Sequence, residues 1–480
     1  MSTKRIFISA DHGLAIIYFL QSDVVSDILN AGIEIVLLTD DGLKEHIQKT
    51  FGREGLLIEG LRLNRARDYF HRESHFTQWW LDFLRRAGAS NKINLEAVDS
   101  YIHQVEGEAH QRRKIFFPVM KGVVGIMRRS RWARRIILNM QERYTPEIYA
   151  DLFERYQPEM VIASTPGWRW DRYLLRESAA RGIPNTTVIV GWDNTSSYSL
   201  PGAHVDWATC WSNIQKEELV LGSDWEPERV IIGGIPSYDG YFQKKWLMTK
   251  EVYYRLHRLD PDRKLISYAC SFISFSPNIQ NIEVLAQLIE SGSLVKPSQL
   301  LVRLHPNHFM DVPRFAEERE QIRKLASEKT HVHLVDPVPL GGELGYYSGE
   351  DMPEKSSMMA YSDVFTTVYS TMVVEASAHG VPVVSVCIDS PVGWPGKFTL
   401  PLSEIGGWPT HSRFRESGAG KVALDEGQLR NSLNFYLQNP DSDREKRRQF
   451  IQDECIYIDG SAGHHTSANL LSLLGVERAQ

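Results

Sequence analysis

A short apolar run, Arg5-Ile6-Phe7-Ile8-Ser9-Ala10, stops at Asp11-His12-Gly13. A helical stretch follows to about Asn30, and after Gly32 a second apolar run covers residues 33–38. Apolar runs joined through a helix are the opening of a parallel, doubly wound α/β sheet, because parallel strands need a long crossover and are buried on both faces. The rhythm returns at residues 160–164, 186–190, 206–211 and 229–232, the last finishing in Gly233-Gly234-Ile235-Pro236. A second series starts at Lys264, with strands expected at 265–269, 300–304, 331–334, 364–367 and 381–385. Two such series in 480 residues exceed one comfortable core and predict two α/β domains. The expected boundaries are 1–242, a junction over 243–262, a second domain over 263–458, and a final helical segment over 459–480, with its helix at about 465–474.

The rhythm is broken once. Residues from about 65 to 156 are rich in Arg, Trp and Phe and poor in Gly and β-branched runs, and read as a helical insertion in the first domain. Inside it, between Arg112 and Arg135, lies a basic stretch with no acidic residue from Gln111 to Gln141, in a chain whose net charge is −6. A run of like charges is commonly a solvated face. The alternative readings here are a site for an anionic acceptor chain and peripheral contact with anionic lipid, which would bring an enzyme to a lipid-linked acceptor. The overall negative charge argues against general attraction to nucleic acid. Cys210, Cys270, Cys387 and Cys455 are far apart with no CxxC pair, so the expectation is reduced core thiols and neither zinc nor disulfides. The first residues lack the apolar stretch of a signal peptide, and no run reaches the roughly 18 apolar residues of a membrane span. A cytoplasmic location follows as an expectation, with the basic stretch at the inner membrane face.

Two motifs in the second half carry chemistry. Leu301-Val302-Arg303-Leu304-His305-Pro306-Asn307 is a strand running into a turn, with Arg303 and His305 two apart and so on one face. A guanidinium and an imidazole at a strand end both donate to phosphate oxygens; the bland alternative is a surface ion pair and a His fixed by a carbonyl. Tyr369-Ser370-Thr371-Met372-Val373-Val374-Glu375-Ala376, followed by His379-Gly380-Val381-Pro382, reads as a strand end, a hydroxyl-bearing turn and a helix starting at about Thr371. Helix-start amides with the Ser370 and Thr371 hydroxyls offer a seat for a diphosphate, and Glu375 would face the ribose. Simple helix capping by these residues is the alternative. Residues 336–355, rich in Gly and acids, are longer than most connections and read as a lid or a loose loop.

This His-Pro turn, the Ser-rich turn and the Gly-x-Pro helix end resemble bacterial GT-B transferases: CDP-glycerol glycerophosphotransferases, Kdo transferases and surface-carbohydrate glycosyltransferases. Asp459-Gly460-Ser461-Ala462 also resembles a segment of that group and of UDP-N-acetylglucosamine 2-epimerases. The resemblance is good over the C-terminal half and loose over the N-terminal half. It implies two Rossmann-like domains facing a central cleft. Arg303, His305, Ser370 and Thr371 would hold the phosphates of a nucleotide-sugar donor, Glu375 its ribose, and no metal or other cofactor would be required. It also places the base of an inverting transferase on the N-terminal side, where it would take a proton from the acceptor hydroxyl.

Asp11, His12 and Asp193 all stand at expected strand ends and are the candidate bases, His12 having an ordinary pKa suited to the task. Asp193 belongs to Gly191-Trp192-Asp193-Asn194-Thr195-Ser196-Ser197, which resembles a segment of uncharacterised surface-carbohydrate transferases and departs from the glutamate-containing loop of the epimerases. Trp192 and Asn194 there, and Trp168 and Asp171 in Thr165-Pro166-Gly167-Trp168-Arg169-Trp170-Asp171, are candidate acceptor contacts, since aromatic faces suit sugar rings; core packing is the alternative. The expected function is a glycosyltransferase that moves a sugar from a nucleotide-activated donor to a surface-glycan, lipid-linked or small-molecule acceptor. The rivals are a CDP-polyol phosphate transferase, a nucleotide-sugar 2-epimerase and a non-catalytic carbohydrate-binding protein.

Overall fold

The computed structural model describes residues 4–271, 277–338, 349–389 and 400–476. They divide into two units: residues up to Asp239 together with those from Cys455 onward, and residues between Gly240 and Glu454. The segment from Cys455, expected to begin at residue 459, thus belongs to the first unit.

The first unit is built on β1 (Arg5–Ala10), β2 (Glu34–Thr39), β3 (Leu56–Gly60), β4 (Met160–Ala163), β5 (Asn185–Val188), β6 (Trp207–Cys210) and β7 (Val230–Ile232). These pair in parallel in the order β3-β2-β1-β4-β5-β6-β7. Ile6, Phe7 and Ile8 of β1 are completely buried, as a central strand covered by helices on both faces requires. Strand order reverses between β1 and β4, and at such a switch point the outgoing loops part and leave a crevice at the carboxyl ends.

The second unit repeats the plan with β8 (Lys264–Ala269), β9 (Ser298–Arg303), β10 (Val332–Val335), β11 (Val364–Thr367), β12 (Val383–Val386) and β13 (Lys421–Ala423). Their order is β10-β9-β8-β11-β12-β13, again all parallel, with the reversal between β8 and β11. Its core gathers Ile266, Leu300, Val302, Val364 and Val384 from the strands with Leu285 and Leu433 from the helices.

Several elements differ from the sequence expectation. The helical stretch after β1 is two helices, Gly13–Leu20 and Asp23–Asn30, the second opened by Ser22, whose Oγ accepts from the Val24 N–H at 3.3 Å. The junction carries helices Asp239–Phe242 and Lys250–Leu256. The helix of the phosphate-type turn runs Met372–Ala378 and the last helix Ala462–Leu473. Of the proposed lid, residues 339–348 lie outside the described residues.

The helical insertion begins at Leu63 and fills the gap between β3 and β4. It makes its own core from Trp80, Phe83, Leu84, Phe117, Val124 and Met127. The final helix is clasped onto the first unit by Asp239, whose carboxylate accepts from the N–H groups of Ala462 at 3.1 Å and Gly463 at 2.7 Å. Ser467 and His464 reach Asp27 on the neighbouring helix at 2.6 and 2.8 Å. All four cysteines are buried and free. Among the described residues, no helix is long and apolar enough to cross a membrane.

Candidate active site

In the first unit the strand order brings the end of β1 beside the end of β4. The Asp11 carboxylate, fully buried, sits at that switch point and accepts from three directions. His12 Nδ1 lies 2.5 Å from Oδ1, the Ser164 hydroxyl donates to the same oxygen at 2.9 Å, and the Arg169 Nε donates to Oδ2 at 2.9 Å. Burial alone would raise the Asp11 pKa, but the Arg169 charge and the His12 ring outweigh it and hold the carboxyl well below the ordinary range. A carboxylate held ionised against Nδ1 fixes that nitrogen as the N–H and puts the basic lone pair on Nε2. Burial is the largest influence on His12 and lowers its pKa, with the Asp11 charge opposing. The imidazole is therefore neutral near pH 7, the state a proton acceptor needs. Sequence reasoning found Asp11 and His12 but missed Ser164 and Arg169; the signal was their place just after β4, which the switch point sets next to β1.

The neighbouring loop holds itself in shape. Asp171, completely buried, accepts from the Thr165 N–H at 3.0 Å and from its hydroxyl, whose oxygen in turn accepts from the Trp168 N–H at 3.0 Å. Gly167 at φ +80° closes the turn, and a Cβ there would meet the Gly202 carbonyl carbon at 3.0 Å. Trp168 stacks on Tyr198 with centroids 5.4 Å apart and donates its indole N–H to the Leu200 carbonyl at 3.2 Å. The expectation of acceptor contacts is corrected for both residues: Trp168 is 5% exposed and Asp171 0%, so both are spent on packing and on the turn. Burial first, and then the Asp11 charge, push the Asp171 carboxyl up to about 7.

Trp192 is corrected in the same way, at 1% exposed. Its loop is tied down by Gln215, whose side-chain N–H groups reach the carbonyls of Gly191 and Trp192 at 3.1 and 3.2 Å. Asn194 lies so close over Gly191 that a Cβ there would come within 2.5 Å of its Oδ1. Asp193 and Asn194 are half-buried. The Asp193 carboxylate accepts from Ser197 Oγ at 3.2 Å, and burial raises its pKa. It follows β5, two strands from β1 and so on the order of 10 Å from His12; the two do not form a pair.

In the second unit, His305 caps its own turn: Nδ1 accepts from the Asn307 N–H at 3.1 Å, while the His305 N–H donates to His308 Nδ1 at 3.0 Å. With Nδ1 as acceptor, the ring proton is on Nε2. Burial, then the nearby His308, Arg303 and Lys355, push the His305 pKa down to about 3. It is thus a neutral N–H donor and adds no positive charge. Arg303 is 4% exposed, and its two amino groups pair with Asp351 and Glu354 at the start of helix Met352–Tyr361. Its expected role on phosphate is corrected to that of a strut between β9 and this helix.

Ser370 and Thr371 are half-buried in the turn after β11. Ser370 Oγ accepts from the Met372 N–H at 3.3 Å, and Tyr369 before it is held at φ +29°, in the left-handed region that non-glycine residues rarely occupy. The Glu375 carboxylate meets Lys355 Nζ at 2.5 Å and accepts from the Tyr241 hydroxyl at 2.5 Å. Lys355 is the cation that sequence reasoning missed, because it lies 20 residues before Glu375 on a different helix.

No family model matches this chain, and no curated protein does. Solved structures do. A Listeria monocytogenes protein assigned as a UDP-N-acetylglucosamine 2-epimerase is 12% identical, with 99% of this chain and 98% of that one covered and a TM-score of 0.56. The UDP-GlcNAc 2-epimerase of Neisseria meningitidis, bound to UDP-GlcNAc, is 12% identical over 98% and 100% of the two chains, with a TM-score of 0.53. S. aureus MnaA, in complex with UDP, is 13% identical over 99% and 98%, with a TM-score of 0.53. At these identities the likeness establishes the fold: the chain has the GT-B arrangement of elements, two Rossmann-like units with the last helix returned to the first.

Proposed function

We propose that this protein is a nucleotide-sugar enzyme that transfers a glycosyl group to an acceptor hydroxyl, with His12 as the proton acceptor. The observation that supports this reading best is the Asp11–His12 pair at the switch point of the first unit, braced by Ser164 and Arg169. A neutral imidazole with its Nδ1–H directed at a fixed carboxylate takes a proton at Nε2, and the resulting imidazolium is stabilised by that carboxylate. The acceptor oxygen then attacks the anomeric carbon as the bond to the departing nucleotide phosphate breaks. In the second unit, the His305 Nε2–H and the Ser370–Thr371 turn are the groups that would donate to that phosphate as its charge grows. Glu375, held by Lys355 and Tyr241, is the group that would accept from the ribose hydroxyls. Solved structures of this fold that carry UDP-GlcNAc and UDP support a uridine nucleotide as the first donor to try.

Those same structures favour one alternative, 2-epimerisation of a UDP-sugar. The two readings separate on the need for an acceptor. The test is thermal stability with UDP, CDP, GDP and UDP-GlcNAc, since a ligand of the folded state raises Tm, followed by incubation with the stabilising sugar nucleotide alone. A selective rise lost in His305→Ala and Ser370→Ala, with turnover only when an acceptor is added, is the expected result. A new sugar isomer without acceptor would assign an epimerase, and no rise with any nucleotide would overturn both.

A further inference from the structure

We propose that the outer face of the helical insertion docks on an anionic lipid bilayer. Helix Phe117–Arg129 follows the turn helix Gln111–Lys114 and precedes helix Arg131–Glu142. Its inward face is normal, with Phe117, Val124 and Met127 buried. Its outward face is not. Val119 and Ile126 are 64 and 62% exposed and with Gly122 stand at the three- and four-residue spacing of a single stripe, and Ile115, in the turn just before the helix, is 76% exposed. Trp132 on the next helix continues the apolar surface at 74% exposed, and Phe76 and Phe116 extend it with ring centroids 5.5 Å apart. A helix of a water-soluble unit ordinarily turns polar residues outward. A stripe of aliphatic and aromatic side chains on the solvent side therefore marks an interaction surface.

The charges around the stripe identify the partner. Of the nine basic residues between Gln111 and Gln141, four are paired with carboxylates of the same unit, as Arg134 is with Asp224 and Lys121 with Glu106. Arg112, Arg129 and Arg135 are exposed and have no carboxylate partner among the described residues. Apolar side chains that insert, set among guanidinium groups that stay at headgroup depth, are the composition of an interfacial helix on anionic lipid. A second copy of this chain fits poorly, because it would bring two basic faces together, and a nucleic-acid backbone has no use for Ile115, Val119 and Ile126 in water.

The test is co-sedimentation of the full chain with vesicles containing phosphatidylglycerol and with vesicles of phosphatidylcholine alone. The wild type is expected to sediment with the first and not the second. Arg129→Gln and Arg135→Gln should each weaken partitioning about fivefold, the factor expected for one basic residue at an anionic surface. Ile126→Glu and Trp132→Glu should abolish it with Tm unchanged, since neither side chain is packed in the core. Absence of binding to phosphatidylglycerol vesicles overturns the proposal, as does binding that both glutamate variants retain. A dimer in sedimentation velocity, or retention of single-stranded RNA, lost in the same variants without any vesicle binding, assigns the face to another partner and overturns it equally.

Discussion

The imidazole of His12 stands with Nδ1 2.5 Å from the carboxylate oxygen of Asp11, its immediate neighbour in the chain. Two adjacent residues of a strand point to opposite faces; here β1 has ended at Ala10 and helix Gly13–Leu20 begins just beyond, so the short turn between them brings both side chains to one place. The Asp11–His12 pair is a product of a strand ending where it does.

Removing the imidazole should remove the chemistry and leave the fold. His12→Ala is expected to lower kcat/KM by about 10²- to 10⁴-fold, the usual worth of general base catalysis. The nucleotide-induced rise in Tm should persist, because His12 lies in the first unit and the proposed phosphate groups in the second. Initial rates with the stabilising sugar nucleotide, beside the thermal shift, make the check.

The pH profile should follow the same pair. Since burial lowers the His12 pKa below its ordinary value while Asp11 opposes that shift, the acidic limb of log kcat/KM should fall below pH 6.5 in the wild type. Asp11→Asn removes the charge that raises the His12 pKa, so the limb should move to still lower pH while kcat drops with the loss of the fixed tautomer. A limb that moves upward in Asp11→Asn would take His12 out of the role of base.

Arg303 gives a prediction about stability. Its guanidinium is shared between Asp351 and Glu354 in a site from which water is almost excluded. Arg303→Ala leaves the buried Asp351 and the part-buried Glu354 without their guanidinium and should cost about 3–5 kcal/mol, lowering the Tm of the second unit by roughly 10 °C. Arg303→Lys, which cannot span both carboxylates, should fall between. Thermal unfolding without nucleotide measures this, and a Tm unchanged in Arg303→Ala would show that the strut carries no weight.

Much of this was legible in the sequence, and what was not has physical causes. Central strands such as β1 and β12 are buried on both faces and read as mainly apolar runs. β3 leaves Leu57 41% exposed and β13 is only 3 residues long, so neither carries that signal. Asp11 and His12 were visible because they end a strand at the head of a recognisable unit. The roles of Arg303 and Asp239 were not, because their partners lie 48 and 51 residues downstream for Arg303 and 223 and 224 for Asp239. Trp168 and Trp192 follow strands just as surface aromatic platforms would, and only the packing of Tyr198 and the reach of Gln215 show that they are core.

Asp171 tests the electrostatics of the switch point directly. Its carboxyl is pushed up to about 7 in the folded chain, above the ordinary value of about 3.9 expected when unfolded. The folded state therefore binds the proton more tightly. The stabilising contribution is complete below about pH 3.9 and is lost as pH rises through 7. Asp171→Asn cannot ionise and keeps an oxygen for the Thr165 N–H, so it should match the wild type at about pH 3.9 and below and pull ahead as pH rises, to an advantage on the order of 4 kcal/mol at pH 8, or roughly 8–16 °C in Tm. Other carboxyls of this unit that burial pushes up, Asp239 to about 6 and also Asp193 and Glu177, are present in both proteins and cancel in the difference. Melting curves of the pair across this range decide the matter: a difference that grows with pH places a reluctant charge beside Asp11, and one that stays constant means that Asp171 ionises there without penalty.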